Sequence, residues 1–140
     1  MELSLEIAGV RVRLRGDSEP LRAAARRYSP YRCSGRTDYL VDWKIGTPPR
    51  VGFRSYPHVT WQENGTLLLS RWDLHAEIRK GQGFLVTGLP PVGLDSFLRI
   101  LLSEALAPRG GVIVHAAALE GRLFPGKSEA GKTTLASLAP

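Results

Sequence analysis

Gly126-Lys127-Ser128-Glu129-Ala130-Gly131-Lys132-Thr133 is the stretch whose residue types and spacing suit chemistry best. It fits G-x-x-x-x-G-K-[ST], a loop that wraps phosphate oxygens. The two glycines accept backbone angles that a side chain forbids. Successive N–H groups can then converge on one concavity. Thr133, Thr134, Leu135 and Ala136 can open a helix whose positive end faces the anion. Lys132 would reach the outer phosphates of a nucleotide, and the Thr133 hydroxyl would ligate magnesium. The expected nucleotide-binding residues are therefore Gly126, Lys127, Ser128, Glu129, Ala130, Gly131, Lys132, Thr133 and Thr134, with ATP and Mg2+ as cofactors. Lys127 adds charge near the phosphates or stays solvated. Glu129 is expected to face solvent, because a carboxylate aimed into the loop would repel phosphate.

Other polar residues carry less. His115 interrupts the apolar run Val112-Ile113-Val114-His115-Ala116-Ala117-Ala118-Leu119. Two readings stay open for it: a core histidine bonded to backbone, or a polar group beside the nucleotide loop. His58 and His75 have no Cys or carboxylate partner at ligand spacing, so no metal cluster is expected from them. Trp43, Trp61 and Trp72 alternate with polar neighbours and are expected to pack on a sheet rather than stack on bases.

These groups need elements to position them. Leu3, Leu5 and Ile7, then Val10, Val12 and Leu14, alternate with polar residues on either side of Ala8-Gly9, which predicts a hairpin. Arg11, Arg13 and Arg15 form a row on its other face, expected to be solvated. Asp17 or Ser18 caps a helix with Pro20 in its first turn, and Ser29-Pro30 ends it. Tyr39 to Ile45 alternates as a strand. Residues 50–62 hold short strand-like pieces around Pro57. Asn64-Gly65 signals a two-residue hairpin before Leu67-Leu68-Leu69. Leu74 to Ile78 and Phe84 to Val86 read as further strands. The first 88 residues therefore predict an α+β unit, an antiparallel sheet with one helix against it. Gly88-Leu89-Pro90-Pro91 marks the expected boundary. After it, Leu94, Phe97, Leu98, Leu101, Leu102 and Ala105 are spaced for an amphipathic linker helix ended by Pro108 to Gly111. The run Val112–Leu119 is expected to be a strand buried on both faces. Residues 122–125 then form a short strand feeding the glycine loop. Residues 89–140 thus predict the start of an α/β phosphate-loop domain.

Composition bounds the rest. Hydrophobic residues make up 43% and charged residues 23%, which describes a globular chain. The formal net charge is +6, and 15 of the 19 basic residues are Arg. They are scattered, which argues against nucleic acid as a partner. Cys33 is the one cysteine, so no disulfide framework exists. No signal segment or apolar membrane-spanning run is present, and a soluble cytoplasmic protein without a membrane partner is expected.

The stretch Gly111 to Gly121, followed by Leu123-Phe124-Pro125-Gly126 and the loop through Ala136, resembles the start of the HPr kinase/phosphorylase C-terminal domain. It is most similar to HPr-kinase-related proteins, with their His-Ala-Ala strand and Phe-Pro-Gly entry into the loop. The resemblance covers residues 92–140 most clearly. It extends less specifically to the sheet-plus-helix segment around Tyr28-Ser29-Pro30-Tyr31. It implies that the loop binds ATP with magnesium and that a phosphoryl group moves to or from a protein serine. By the same resemblance His115 matches the active-site histidine and Lys132 the loop lysine, so these two are the expected catalytic residues. Two departures stand out. Thr134 replaces a glutamate of the true HPr kinases, and the turn between His115 and the loop is shorter.

A kinase also needs a carboxylate for magnesium and a base for the acceptor hydroxyl. Both are expected on later strands than residues 134–140 can form, since a parallel neighbour needs a long crossover. The chain is therefore expected to carry the front of a phosphotransferase site, as a fragment or half of a split protein, and to be inactive alone. Residues 112–119 are then expected to expose apolar surface and to support homo-oligomers. The alternative reading is a non-catalytic nucleotide-sensing or protein-binding adaptor.

Overall fold

The computed structural model describes residues 1–49, 58–88, 92–119 and 122–126. Two hydrophobic periodicities organise it. Period-two segments form β1 (Glu2–Ile7), β2 (Val10–Gly16), β3 (Tyr39–Ile45), β4 (His58–Trp61), β5 (Leu67–Arg71), β6 (Leu74–Arg79) and β7 (Gln82–Thr87). Helical spacing gives α1 (Ser18–Arg27) and α2 (Val92–Leu106). A separate hairpin follows, β8 (Ala116–Leu119) and β9 (Arg122–Pro125).

The first seven strands make one sheet in the order β1-β2-β3-β7-β6-β5-β4. Alternate residues face the helices: Leu3 and Leu5, Val10, Val12 and Leu14, Val41 and Trp43, Leu67 and Leu69, Leu74 and Ala76, and Leu85 are buried. Leu21 and Ala24 of α1, with Leu94, Phe97, Leu98 and Leu101 of α2, close the same core. The fold is mixed α+β, with both helices on one face of the sheet and the other face open.

Several sequence expectations need correction here. The sheet is not antiparallel throughout: β2–β3 and β3–β7 are parallel. The reason is that α1 carries the chain from β2 to its neighbour β3. A strand–helix–strand crossover delivers the second strand parallel to the first. One helix was expected on the sheet, but α2 packs there as well, against β2, β6 and β7. Its seat depends on Gly93, where a Cβ would lie 2.5 Å from Thr87 Cγ2. Asp17 occupies the N-cap position of α1 but makes no side-chain capping bond.

The Asn64-Gly65 hairpin closes over residues 63–65 rather than two residues. Gly65 N–H donates to Gln62 C=O at 3.0 Å and Gln62 N–H donates to Thr66 C=O at 2.9 Å. Gly65 takes φ +75°, the left-handed bulge position of a three-residue loop. The apolar run is not a doubly buried strand. Val112, Ile113 and Val114 are 79%, 40% and 50% exposed, and among the described residues the pairing with β9 begins at His115, whose carbonyl accepts from Gly126, and runs through Ala116–Leu119. Of the residues 112–119 expected to expose apolar surface, 112–114 do so, and the side chains of 117–119 lie outside the described residues.

No helix among the described residues is long and apolar enough to cross a membrane.

Candidate functional site

The strand entering the glycine loop is β9, and β8 holds it in register: Ala116 opposes Pro125, Ala117 opposes Phe124 and Leu119 opposes Arg122. The ladder runs one pair further. Gly126 N–H donates to the His115 carbonyl at 3.2 Å. Since hydrogen-bonded pairs alternate in an antiparallel ladder, the Ala116–Pro125 pair is a non-bonded one. Proline therefore sits where its missing N–H is not required, and it fixes the backbone immediately before the first glycine of the motif. His115 is exposed and shares a face with Phe124, which is itself 36% exposed. This decides the question left open for His115. It is not a core histidine. It stands in solvent across the ladder from the loop's first residue.

His115 and Gly126 are thus brought together. Lys127, Ser128, Glu129, Ala130, Gly131, Lys132, Thr133 and Thr134 lie outside the described residues.

The second polar concentration is the open face of the seven-stranded sheet. Its cross-strand neighbours explain the arginine row. Arg11 Nε donates to Glu6 at 2.6 Å, and Arg13 donates to the Gly35 carbonyl at 3.0 Å. Arg15 grips both oxygens of Asp42. The hydrogen bond from Arg15, ahead of its charge, holds the Asp42 carboxyl below its ordinary value. A cleft of about 370 Å³ lies among Arg15, Asp42, Glu77, Arg79, Gln82 and Phe84. Arg79 gives its Nε to Thr66 Oγ1 at 3.1 Å, and Lys44 Nζ lies 5.7 Å from the Phe84 ring centroid. With Asp42 and Glu77 in its walls and its arginines engaged, this cleft is poorly suited to an anion.

Other polar clusters join elements. Arg71 and the buried Asp73 form a bidentate pair, with Nη2 at 2.8 Å from Oδ2, at the β5–β6 turn. The Asp73 carbonyl there accepts the Gly88 N–H at 2.8 Å. Asp95 in the first turn of α2 accepts hydrogen bonds from Arg27 and Tyr28 at the end of α1. The sequence reading places Asp95 in a helix's first turn but has no signal for its partners, which lie 67 and 68 positions away. No group of three or more His, Cys, Asp or Glu among the described residues could hold a metal ion.

Of the three tryptophans expected to pack on the sheet, Trp43 does, donating Nε1–H to Thr87 Oγ1 at 2.9 Å. Trp61 and Trp72 are 59% and 49% exposed, because one lies on an edge strand and the other on a turn.

No known protein family, curated protein or solved structure matches the chain.

Proposed function

We propose that the chain is an HPr-kinase-like nucleotide-binding protein. In this reading residues 126–133 hold ATP with magnesium, and the complete site transfers a phosphoryl group to a protein serine. The observation that carries the reading is the His115–Gly126 pairing. It joins the two motifs of the sequence resemblance, the His-Ala-Ala strand and the Phe-Pro-Gly entry, in one hairpin. The order strand, then glycine loop is the context the motif requires.

Two observations support the reading: Gly126 closes the ladder by donating its N–H to the His115 carbonyl, and the His115 side chain is exposed rather than packed in a core. ATP, when bound, supplies the transferable phosphoryl group. Lys132 would neutralise and orient the outer phosphates, Thr133 would contribute a hydroxyl to magnesium, and His115 would face the reacting end of the site. A second reading, a nucleotide-sensing or protein-binding adaptor, is favoured by the engagement of Asp42, Asp73 and Asp95 with arginines. None of these three is available as a base or magnesium ligand without breaking an ion pair.

Calorimetric titration of ATP–Mg2+ into the wild type and Lys132→Ala tests the proposal. Loss of charge-assisted bonds should weaken binding about 10- to 100-fold in the variant. Absence of binding by the wild type would overturn the reading. Binding without phosphorylation of any serine-bearing protein would select the adaptor.

A further inference from the structure

The cleft on the open face of the seven-stranded sheet spans β3, β7 and β6. Its volume of about 370 Å³ falls in the range of small-molecule sites, roughly 300–1,000 Å³. Strand register arranges its lining in two rows. Asp42, Phe84 and Glu77 lie side by side in one, and Leu40, Gln82 and Arg79 in the other. Residues two apart on a strand share a face, so all six line the cleft together.

The charged groups are not equivalent. Arg15 holds both oxygens of Asp42, and that pair cancels. Glu77 is open: its side chain is 53% exposed, and its ion-pair contact, His75 Nε2 at 3.7 Å, is too long for a hydrogen bond. Arg79 spends Nε on Thr66 Oγ1, and its two terminal nitrogens donate to no described residue. No ion pair joins Glu77 to Arg79 among the described residues. One strand thus presents an available carboxylate and an available guanidinium about 7 Å apart at the backbone. Beside them Phe84 and Leu40, both half-buried, make an apolar floor. Lys44 Nζ, 5.7 Å from the Phe84 ring centroid, borders that floor.

We propose that this cleft binds a free α-amino acid with an apolar side chain. The ligand's ammonium donates to Glu77. Its carboxylate accepts from the terminal nitrogens of Arg79, with the exposed Gln82 amide between the two. Its side chain lies on Phe84 toward Leu40. Charge complementarity selects this occupant. A simple anion meets Glu77 and Asp42, and a simple cation meets Arg79 and Lys44, so each is repelled. A zwitterion is attracted at both ends. A residue inside a peptide chain has neither the ammonium nor the carboxylate and is not read by this pair. All the residues involved belong to the seven-stranded sheet, so the site is separate from the glycine loop.

Titration of L-phenylalanine and L-leucine into the 15N-labelled protein, followed by amide chemical shifts, tests this. Saturable shifts should concentrate at Glu77, Arg79, Gln82 and Phe84. N-acetyl-L-phenylalanine lacks the ammonium and L-phenylalaninamide lacks the carboxylate. Each should bind about 5- to 20-fold more weakly, the loss of one charge-assisted bond at a half-exposed site. Glu77→Gln should weaken phenylalanine by a similar factor and leave the weaker N-acetyl derivative unaffected. Arg79→Gln should do the same for phenylalanine and the amide. These matched losses are a readout that a merely structural role would not give. Glu19→Gln, on α1 and the covered face, should bind as the wild type does. No saturation up to about 10 mM, beyond millimolar affinity, would overturn the proposal. So would shifts confined to residues outside the cleft, or equal binding of the N-acetyl derivative.

Discussion

Tyr28 donates its phenolic hydrogen to Asp95, whose other oxygen is held by Arg27, so one carboxylate ties the end of α1 to the start of α2. Partial burial, and next the bond to Asp95, push the Tyr28 phenol above its ordinary value. The sign of the linkage follows. A raised folded-state value means that this contribution is complete below the unfolded pKa of about 10 and is lost as pH rises beyond it. Tyr28→Phe should therefore destabilise the protein by about 1.5–3 kcal/mol at neutral pH, the worth of a bond to a charged acceptor. The difference between wild type and variant should shrink as pH climbs above about 10. Urea unfolding of both proteins at neutral and alkaline pH measures it, and a constant difference would contradict the assignment. Asp42 runs the opposite way. Its lowered value means that stability from its pairing with Arg15 is present above the ordinary carboxyl range and fades as acid is added.

At the scale of elements, the seating of α2 on β7 gives the sharpest case. Gly93 is buried where a Cβ would meet Thr87 Cγ2 at 2.5 Å and Thr87 Cβ at 3.0 Å. Gly93→Ala should cost about 1–3 kcal/mol by overpacking, despite alanine's better helix propensity. Thr87→Ser removes the offending methyl and keeps the hydroxyl that accepts from Trp43. The double variant should then recover part of the loss, a coupling that a double-mutant cycle on thermal or urea stability would expose. Additive costs would deny the contact. Neither the contact nor the placement of α2 was legible in the sequence. Its apolar stripe marks a buried helix but does not say which surface buries it. Strand periods, the Ala8-Gly9 turn and the helical stripe of α1 were legible because they are local. The parallel pairing of β3 with β2 and β7 was not, because pairing partners are chosen by tertiary packing. The run Val112–Leu119 misled for a related reason: apolar composition signals burial only when something covers it. At the site, the register gives His115 its neighbour Gly126, while residues 127–134 of the motif lie outside the described residues. The arginine row's partners across β1 and β3 needed the structure.

For the whole molecule, the contrast between its two sheets sets the dynamics. The large sheet has a core in which Leu5, Leu14, Val41, Leu85 and Phe97 are fully buried. The β8–β9 hairpin has two strands, and Leu123 and Phe124, adjacent and therefore on opposite faces, are 64% and 36% exposed. A two-stranded hairpin with both faces wet is marginal by itself. Its amides should exchange by local opening, far faster than those of the core strands, which report global unfolding. A nucleotide held by the loop that begins at Gly126 would close that opening by mass action. At a free concentration of about 100 times Kd the gain is about 2.7 kcal/mol, or about 100-fold slower exchange. ATP–Mg2+ should thus protect residues 112–126 selectively and leave Val41 and Leu85 nearly unchanged, and Lys132→Ala should abolish the effect. Protection spread evenly over the large sheet would place the ligand on that sheet's open face. Unchanged exchange at saturating nucleotide would separate the hairpin from nucleotide binding altogether.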